Sequence, residues 1–167
     1  YFRKDKLSEK PIILQIGTKA HKNLSRIINA LDGIECKLLI IGKLTESQET
    51  FLKSKSVDYV SFYNLTKEEM LQKYIDSDIL LFASTYEGFG MPIIEANVVG
   101  RPVITSSLEP MKSVAADSAL LVNPCSEEEI KDAVLKLLND EKLRNILIEK
   151  GLENAKNYRA AYIAKQY

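Results

Sequence analysis

Two glutamates flank a glycine-containing segment near the middle of the chain, Glu87 and Glu95 in the run EGFGMPIIE. Gly88 and Gly90 permit backbone angles and close approaches that other residues do not, and Pro92 suits the first turn of a helix. Backbone N–H groups at such a helix start would point at a ligand in front of it. Glu95 falls about one turn inside an otherwise apolar helix, where a buried carboxylate requires hydrogen-bond donors.

Ionised carboxylates only accept hydrogen bonds, so the chemistry of these two residues points to hydroxyl groups. Two vicinal ribose hydroxyls would supply the donors that Glu95 needs. Glu87, at the entrance of the loop, would accept hydrogen bonds from sugar hydroxyls. A pair of glutamates eight residues apart is common on its own. Together with the two glycines, the proline and a position after a strand, it predicts a site for a ribose and a sugar.

A second unusual loop, residues 17–23, places Lys19, His21 and Lys22 at the start of a helix. Cations are disfavoured there by roughly 0.3–1 kcal/mol, because the macrodipole is positive at that end. An anion between the lysines would reverse the sign, and free N–H groups with a lysine make a natural diphosphate site. The alternatives are a solvated basic loop with screened charges and, for His21, an exposed loop residue.

Six short apolar runs alternate with helical patterns and predict the strands of a buried parallel sheet. The predicted fold is therefore α/β, a Rossmann-like, doubly wound, six-stranded parallel sheet. The predicted strands are residues 12–16, 37–41, 59–62, 79–83, 103–105 and 120–122. The predicted helices are residues 23–31, 46–54, 67–75, 92–99, 110–115, 127–138, 141–158 and 159–167. Asn23, Thr66 and Ser126 are predicted N-caps, and Ser126 with Glu129 is predicted to form a capping box.

The usual strand order of such a sheet, 3-2-1-4-5-6, reverses its winding between strands one and four, and ligands bind at that reversal. Lys22, Glu87 and Glu95 are therefore predicted to line one cleft at the carboxyl edge of the sheet. Asp76 and Asp78 have the D-x-D spacing of metal-dependent transferases but precede strand four, at the opposite edge. They predict a helix-ending or strand-entry role and no metal site. The glycines are not a dinucleotide fingerprint, because the third glycine is lacking and the loop follows strand four.

The composition argues against a polyanionic partner, because 23 basic and 23 acidic residues balance. Cys36 and Cys125 are isolated and predict small buried side chains in a reducing cytoplasm. No apolar run approaches the roughly 18 residues of a membrane span. The charged opening run, residues 1–10, predicts a linker from an upstream domain. Residues 11–157 then form the ligand-binding domain and residues 158–167 a C-terminal helix.

The chain also resembles a known family, in motifs spread along nearly its whole length. The segment FASTYEGFGMPIIEA, residues 82–96, followed by GRPVI at 100–104, resembles the E-x7-E region of retaining glycosyltransferases of the GT-B fold. IGT at 16–18 and KNL at 22–24 resemble their first phosphate loop, and LVNP at 121–124 resembles the segment after their last strand. The resemblance implies the C-terminal, donor-binding half of a two-domain enzyme whose acceptor-binding half lies upstream.

The resemblance also implies roles for individual residues. Glu95 holds the ribose, and Glu87 contacts the donor sugar and helps to stabilise the transition state. The donor sugar and phosphates are bound by the first loop and by the backbone of the second, at Gly17, Thr18, Lys19, Lys22, Gly88, Phe89, Gly90 and Met91. Many members have arginine where this chain has Thr18, and whether Lys19 replaces it is left open. The base is expected near Tyr63 and Leu65, although Tyr63 could equally pack.

The predicted function is binding of a UDP- or GDP-linked sugar and, with the upstream domain, transfer of that sugar with retention and without a metal or other cofactor. The predicted partners are the nucleotide-sugar donor, the upstream domain and, through it, an acceptor glycan or lipid; nucleic acid is not one. The domain alone is expected to be inactive, whereas the whole enzyme is expected to be a hexosyltransferase of polysaccharide biosynthesis. The location is expected to be the cytoplasm, free or held at the inner membrane through the upstream domain. The alternative function is a non-catalytic nucleotide-sugar-binding regulatory module.

Overall fold

A six-stranded parallel sheet forms the centre of the protein in the computed structural model, which describes residues 6–164, with side chains as far as Tyr158. The strands are β1 Ile12–Ile16, β2 Lys37–Ile41, β3 Asp58–Phe62, β4 Ile79–Phe82, β5 Val103–Ser106 and β6 Ala119–Val122. They are ordered β3-β2-β1-β4-β5-β6, and every neighbouring pair is parallel. This confirms the predicted doubly wound α/β fold and places its reversal between β1 and β4.

Seven α-helices connect and flank the strands within the described residues. They are α1 Leu24–Leu31, α2 Glu46–Lys53, α3 Lys67–Asp76, α4 Met91–Val99, α5 Met111–Ala115, α6 Glu127–Asn139 and α7 Glu141–Ala164, with a short 3-10 helix at Ala20–Lys22. The two helices predicted after residue 141 are one, because no glycine or proline interrupts residues 152–164. The predicted boundary at residue 158 therefore lies inside α7, and residues 165–167 lie outside the described residues.

Alternate side chains of each strand enter two separate hydrophobic cores, as the period of two in a strand requires. Ile13 belongs to the core beneath α1, α2 and α6, whereas Leu14 belongs to the core beneath α3, α4 and α5. Because both faces of the sheet are covered, its strands read as continuous apolar runs. Helix α7 packs mainly against α4, on the outside of the second core.

The predicted helix starts are correct at Thr66 and only partly correct at Ser126. The Thr66 hydroxyl oxygen accepts the N–H of Glu69, and the Glu69 carboxylate accepts the N–H of Thr66. The two bonds make a complete capping box. Ser126 accepts the N–H of Glu129, but the Glu129 carboxylate accepts the N–H of Asn123 instead. The predicted Ser126–Glu129 box is therefore wrong in its second bond, because the Ser126 N–H donates to the Asn123 carbonyl at 3.0 Å instead.

The two cysteines differ in burial. Cys36 is buried, as predicted, and burial raises the pKa of its thiol to about 11. Cys125 is exposed. The prediction for Cys125 is wrong because the residue follows β6 in a turn, where its apolar neighbours belong to the strand and not to its own surroundings.

The N-terminal segment predicted as a linker is partly anchored to the domain. The Ser8 N–H donates to Asp78 at 3.0 Å, and the Lys10 ammonium lies 2.8 Å from the Asp58 carboxylate. Residues 1–5 of that segment lie outside the described residues. The division of the chain at residue 10 stays a prediction.

Candidate functional site

The loops after β1 and β4 are in direct contact. The Thr85 N–H donates to the His21 carbonyl at 2.8 Å, and the Thr85 hydroxyl lies 3.3 Å from the same oxygen. The reversal of winding between β1 and β4 produces this contact, as the predicted strand order requires. The His21 contact therefore uses the backbone, and its half-buried ring has no assigned role.

Lys22 and Glu87 form an ion pair between these two loops. The Lys22 Nζ lies 2.6 Å from the Glu87 Oε1, and the two side chains are only 17% and 13% exposed. The same ammonium lies 4.9 Å from the centre of the Phe82 ring, over its face. The prediction that Lys22 and Glu87 come together at the carboxyl edge is thus confirmed. A nearly buried cation and anion now stand at the point of the fold where ligands bind.

Gly17 allows the Lys22 side chain to cross the first loop toward Glu87. The backbone of Gly17 has φ 93, and a Cβ at this position would lie 2.7 Å from the Lys22 Cγ. Any larger residue would therefore be strained and would also displace the lysine. The glycine of the predicted phosphate loop thus has a structural reason of its own, which is to give the ammonium its path.

Thr18 and Lys19, the other two predicted ligands in the first loop, differ in their surroundings. The Thr18 hydroxyl donates to the Lys43 carbonyl at 2.8 Å, and its own carbonyl accepts the Gln48 amide at 2.7 Å. The Thr18 side chain is thus engaged with the β2–α2 connection, whereas Lys19 is exposed. Whether Lys19 supplies the charge of the family arginine stays a prediction.

Asn23 ties three loops of the carboxyl edge together, a role that the sequence did not reveal. Its backbone is left-handed, with φ 62, and its side chain makes no cap bond to α1. The buried amide instead donates to the carbonyls of Ala83 and Pro124, at 3.0 and 2.6 Å, and accepts from Arg26. One side chain therefore joins the loops after β1, β4 and β6 directly beside Lys22.

We expect Asn23→Gly to lower the free energy of unfolding by about 1–2 kcal/mol, because two buried carbonyls lose their donor. Asn23→Ala should cost about 1 kcal/mol more, because alanine pays for the left-handed backbone that glycine adopts freely. Urea unfolding of both variants measures the difference. The control is Asn29→Ala, which removes an exposed amide bonded to Glu127 at 2.8 Å and should change stability by less than about 0.5 kcal/mol. Equal stability of Asn23→Gly and the native protein would contradict the assignment.

The second loop ends at the start of α4, and its two glycines differ in whether the fold requires them. Gly90 precedes the helix with φ 117, a conformation that requires glycine. Gly88 has no positive φ, and a Cβ there would meet nothing within 4 Å. The backbone and packing of the fold therefore do not require a glycine at 88. Close approach of a ligand to Gly88 stays a prediction.

Phe89 and Met91 present apolar surface at the same loop. Their exposed fractions are 39% and 42%. The Phe89 ring makes an edge-to-face contact with Tyr158 of α7, with 5.8 Å between the ring centres. The tip of the loop is thus braced by α7.

Glu95 is exposed, so the prediction of a carboxylate buried in apolar surroundings is wrong. Helix α4 turns its other residues toward the sheet and α7 and leaves Met91, Glu95 and Val98, spaced by four and three, on one exposed stripe. The carboxylate also already has a donor, because the Tyr74 hydroxyl lies 2.5 Å from the Glu95 Oε2. That Glu95 binds ribose and shares a cleft with Lys22 stays a prediction.

Tyr74 is a site residue that the sequence did not reveal. Its ring is 2% exposed and packs in the core between the sheet and α3 and α4. Burial, with a smaller effect of the Glu95 charge and hydrogen bond, raises the pKa of Tyr74 well above its ordinary value. The phenol therefore stays protonated at neutral pH and donates to Glu95.

The expected base-binding loop follows β3 at the same carboxyl edge. Tyr63 is 57% exposed and Leu65 is half-buried, with a left-handed Asn64 between them at φ 56. The exposure of Tyr63 argues against the packing role that was its alternative. Contact with a base stays a prediction.

Asp76 and Asp78 lie at the amino edge, as predicted, and hold protein groups there. The buried Asp78 carboxylate accepts the N–H groups of Ile12 and Ser8, at 2.7 and 3.0 Å, and Asp76 accepts the Gln72 amide at 2.7 Å. Asp78 thus fixes the entry to β1 and β4. Within residues 6–158, no cluster of three histidine, cysteine or acidic side chains could hold a metal ion.

Arg101 holds together the C-terminal ends of the two helices next to the site, α3 and α4. Its guanidinium, 2% exposed, donates to the carbonyls of Tyr74, Ile75, Val99 and Gly100 at 2.7 to 3.2 Å. Burial lowers its pKa, and the carboxylates of Asp78 and Asp76 oppose that effect. The arginine therefore locks the ends of α3 and α4, the helices that carry Tyr74 and Glu95.

As to membranes, none of the helices in the described part of the chain is both long enough and apolar enough to span a bilayer.

Solved structures of glycosyltransferases share this fold. The C-terminal domain of the glycosyl transferase group 1 protein LpcC from Francisella tularensis superposes with a TM-score of 0.75 at 23% identity, over 90% of this chain and 86% of that one. S. aureus TarM, in a complex that contains UDP, superposes with a TM-score of 0.79 at 17% identity, over 97% of this chain and 36% of that one. At these identities the likeness establishes the fold alone.

The sequence match identifies the family. Residues 1–154 match the family described as Glycosyl transferases group 1, and the chain belongs to it. The O-antigen chain mannosyltransferase B of Escherichia coli is 33% identical over 91 residues, which are 54% of this chain and 24% of that protein. The chain spans between 24% and 44% of the length of the curated relatives that it matches.

Proposed function

We propose that this chain binds the nucleotide diphosphate sugar of a retaining, metal-independent glycosyltransferase. The observation that carries the proposal is the ion pair of Lys22 and Glu87, nearly buried between the loops after β1 and β4. A nearly buried ion pair adds little to the stability of a fold, because the desolvation of both charges offsets most of the Coulomb gain. At the reversal of a doubly wound sheet, where ligands bind, it supplies one group for an anion and one for hydroxyls.

The leaving group of sugar transfer is the nucleoside diphosphate, which gains negative charge as the bond to the sugar breaks. Lys22 supplies a positive charge for it, and the start of α4 supplies N–H groups and the positive end of a helix dipole. Positive charge held in place before the reaction stabilises such a transition state most effectively. In this proposal a divalent metal is not needed, because these groups take its electrostatic role.

Glu87 acts on the sugar in this proposal. Its carboxylate accepts hydrogen bonds from sugar hydroxyls and stabilises the positive charge that develops at the anomeric carbon. The open space beside Gly88 allows the sugar to approach the backbone between Gly88 and Met91. Retention of configuration is carried over from the family resemblance.

The nucleoside is proposed to lie across the carboxyl ends of β4 and β3. Glu95 takes the ribose hydroxyls, since a carboxylate offers about four lone-pair sites and Tyr74 uses one of them. The exposed Tyr63 and its neighbour Leu65 then face the base. UDP or GDP is the expected nucleotide, in keeping with the UDP in the TarM complex.

The acceptor is proposed to be a glycan or lipid bound by a second domain that this chain does not supply. Relatives named as mannosyltransferases suggest a hexose as the transferred group. We therefore expect the isolated chain to bind a donor without transferring sugar, and the whole protein to act in polysaccharide biosynthesis in the cytoplasm or at the inner membrane. A regulatory module that binds the same donor but does not transfer it is the alternative.

The proposal predicts that one nucleotide sugar in a panel of UDP-, GDP- and ADP-linked sugars stabilises the chain. A ligand at about 100 times its Kd adds about 2.7 kcal/mol to the free energy of unfolding. For a domain of this size, that corresponds to a rise in Tm of roughly 5–10 °C. Thermal unfolding identifies the ligand, and calorimetry then gives its Kd.

Binding should be unchanged in EDTA, with the same buffer without chelator as the control. A large loss of affinity on chelation, restored by magnesium or manganese, would contradict metal independence. A chain that no member of the panel stabilises would contradict the proposal itself. Sugar transfer by the chain joined to its upstream region separates the catalytic proposal from the regulatory alternative.

A further inference from the structure

We propose that Tyr74 is the positioning residue that holds the Glu95 carboxylate in place for the ribose. The inference rests on the proposed function, in which Glu95 accepts the ribose hydroxyls. It assigns the selectivity for a ribose to two residues on neighbouring helices, Glu95 on α4 and Tyr74 on α3.

The phenol of Tyr74 is fixed at its own end. Tyr74 is 2% exposed as a residue. Its backbone carbonyl accepts the Ser77 hydroxyl at 2.9 Å and the Arg101 Nε–H at 3.2 Å. The ring rises from the last turns of α3 toward the carboxyl edge, because side chains of a helix lean toward its N-terminus. The hydroxyl that meets Glu95 therefore has a defined position.

Glu95 is not fixed in this way by its own helix. It lies on the exposed stripe of α4, and an exposed glutamate samples many rotamers. Ordering such a side chain on binding reduces affinity, and ordering it beforehand restores that loss. The hydrogen bond from Tyr74 to the Glu95 Oε2 provides this order.

The hydrogen bond also leaves the carboxylate able to bind a diol. The phenol has one proton to donate and keeps it, because burial raises the pKa of Tyr74. One hydrogen bond from the phenol leaves acceptor sites on both Glu95 oxygens for two vicinal hydroxyls. Phenylalanine at 74 would fill the same space without ordering the carboxylate.

A merely structural role for the contact makes a different prediction. A buried tyrosine hydroxyl needs a partner, and Glu95 could serve only to satisfy it. In that case Tyr74→Phe removes the hydroxyl that needed a partner, and Glu95 turns to water. The substitution then does not discriminate between ligands with and without the ribose hydroxyls. The test must therefore compare ligands with and without the diol.

The experiment is calorimetry of the intact chain with UDP or GDP, whichever binds, and with the 2′,3′-dideoxy form of the same nucleotide. We expect Tyr74→Phe to weaken the ribonucleotide roughly three- to tenfold and to leave the dideoxy form unchanged. Glu95→Gln should weaken the ribonucleotide about tenfold. In that background Tyr74→Phe should add less than about twofold, because the group it positions is already altered.

The matched control is Tyr59→Phe, the same change in β3 against the other core. It should alter neither affinity, and unfolding of each variant in urea checks that the fold is kept. Equal losses for the two nucleotides in Tyr74→Phe, or no loss for either, would overturn the positioning role while leaving the proposed function intact. Failure of the native chain to bind any nucleoside diphosphate would overturn both.

Discussion

Lys22→Met is expected to weaken binding of the nucleoside diphosphate about 100-fold, which corresponds to about 2.7 kcal/mol. The change removes the cation that pairs with Glu87 and replaces it with an apolar chain of similar length that can still cross Gly17. The diphosphate would then meet the Glu87 carboxylate without a positive charge between them. Both the lost attraction and the new repulsion lower the affinity.

The same variant should be less stable, because it leaves the Glu87 carboxylate nearly buried without its partner. Loss of one member of a fully buried pair costs roughly 3–5 kcal/mol. Glu87 retains 13% exposure, so solvent reduces the expected cost to about 2 kcal/mol. The double variant Lys22→Met with Glu87→Gln should recover part of that loss, since an amide is far cheaper to bury alone than a carboxylate.

Lys43→Met is the matched control, because it makes the same change of charge at an exposed lysine near the same edge of the sheet. It should shift stability by less than about 0.5 kcal/mol and change the nucleotide Kd only slightly. Calorimetry with UDP and GDP, and urea unfolding of the three variants, measure these effects. If Lys22→Met and Lys43→Met weaken binding equally, Lys22 is not a specific ligand of the diphosphate.

The fold and the location of the site were predictable because both depend on short-range patterns. The apolar runs, their spacing and the cap at Thr66 are local signals, and parallel strands in this order bring the loops after β1 and β4 together. That Lys22 and Glu87 lie together at the carboxyl edge followed from that topology, whereas their ion pair did not. None of these inferences required knowing which way a particular side chain points.

The exposure of Glu95 was not predictable because α4 is apolar on nearly all sides. A helix shows which face is buried only when polar and apolar residues alternate around it, and the sequence MPIIEANVV has almost no such contrast. The position of Glu95 on the exposed stripe was decided by how α4 packs against the sheet and α7. The pattern therefore could not tell a buried acid from an accessible one.

Tyr74 and Asn23 were missed because their partners are distant in the sequence. Tyr74 bonds to a residue 21 positions away, and Asn23 to carbonyls 60 and 101 positions away. Side-chain bonds between elements leave no mark on local periodicity. For Asn23, its left-handed backbone also removed it from the N-cap role that its residue type favours.

Glu87→Gln is expected to weaken binding of the nucleotide sugar without weakening binding of the free nucleoside diphosphate. Glutamine keeps the shape of the side chain but removes the charge that now holds Lys22 at 2.6 Å. The ammonium is then free to bind the diphosphate, so the affinity for the nucleoside diphosphate should stay the same or rise by up to about threefold. The sugar loses a charged acceptor for its hydroxyls, which should weaken the sugar part of the donor by roughly 10–30-fold.

The ratio of the two affinities is the decisive quantity, because it cancels any general effect of the substitution on the fold. Calorimetry of the native chain and of Glu87→Gln with the nucleoside diphosphate and its sugar conjugate gives this ratio directly. Glu128→Gln, an exposed acid in the first turn of α6, is the control for the change of charge and should leave the ratio unchanged. An equal loss for both ligands in Glu87→Gln would mean that the carboxylate orders Lys22 and does not touch the sugar. A ratio shifted toward the free nucleotide means that Lys22 binds the diphosphate of the donor and Glu87 binds its sugar.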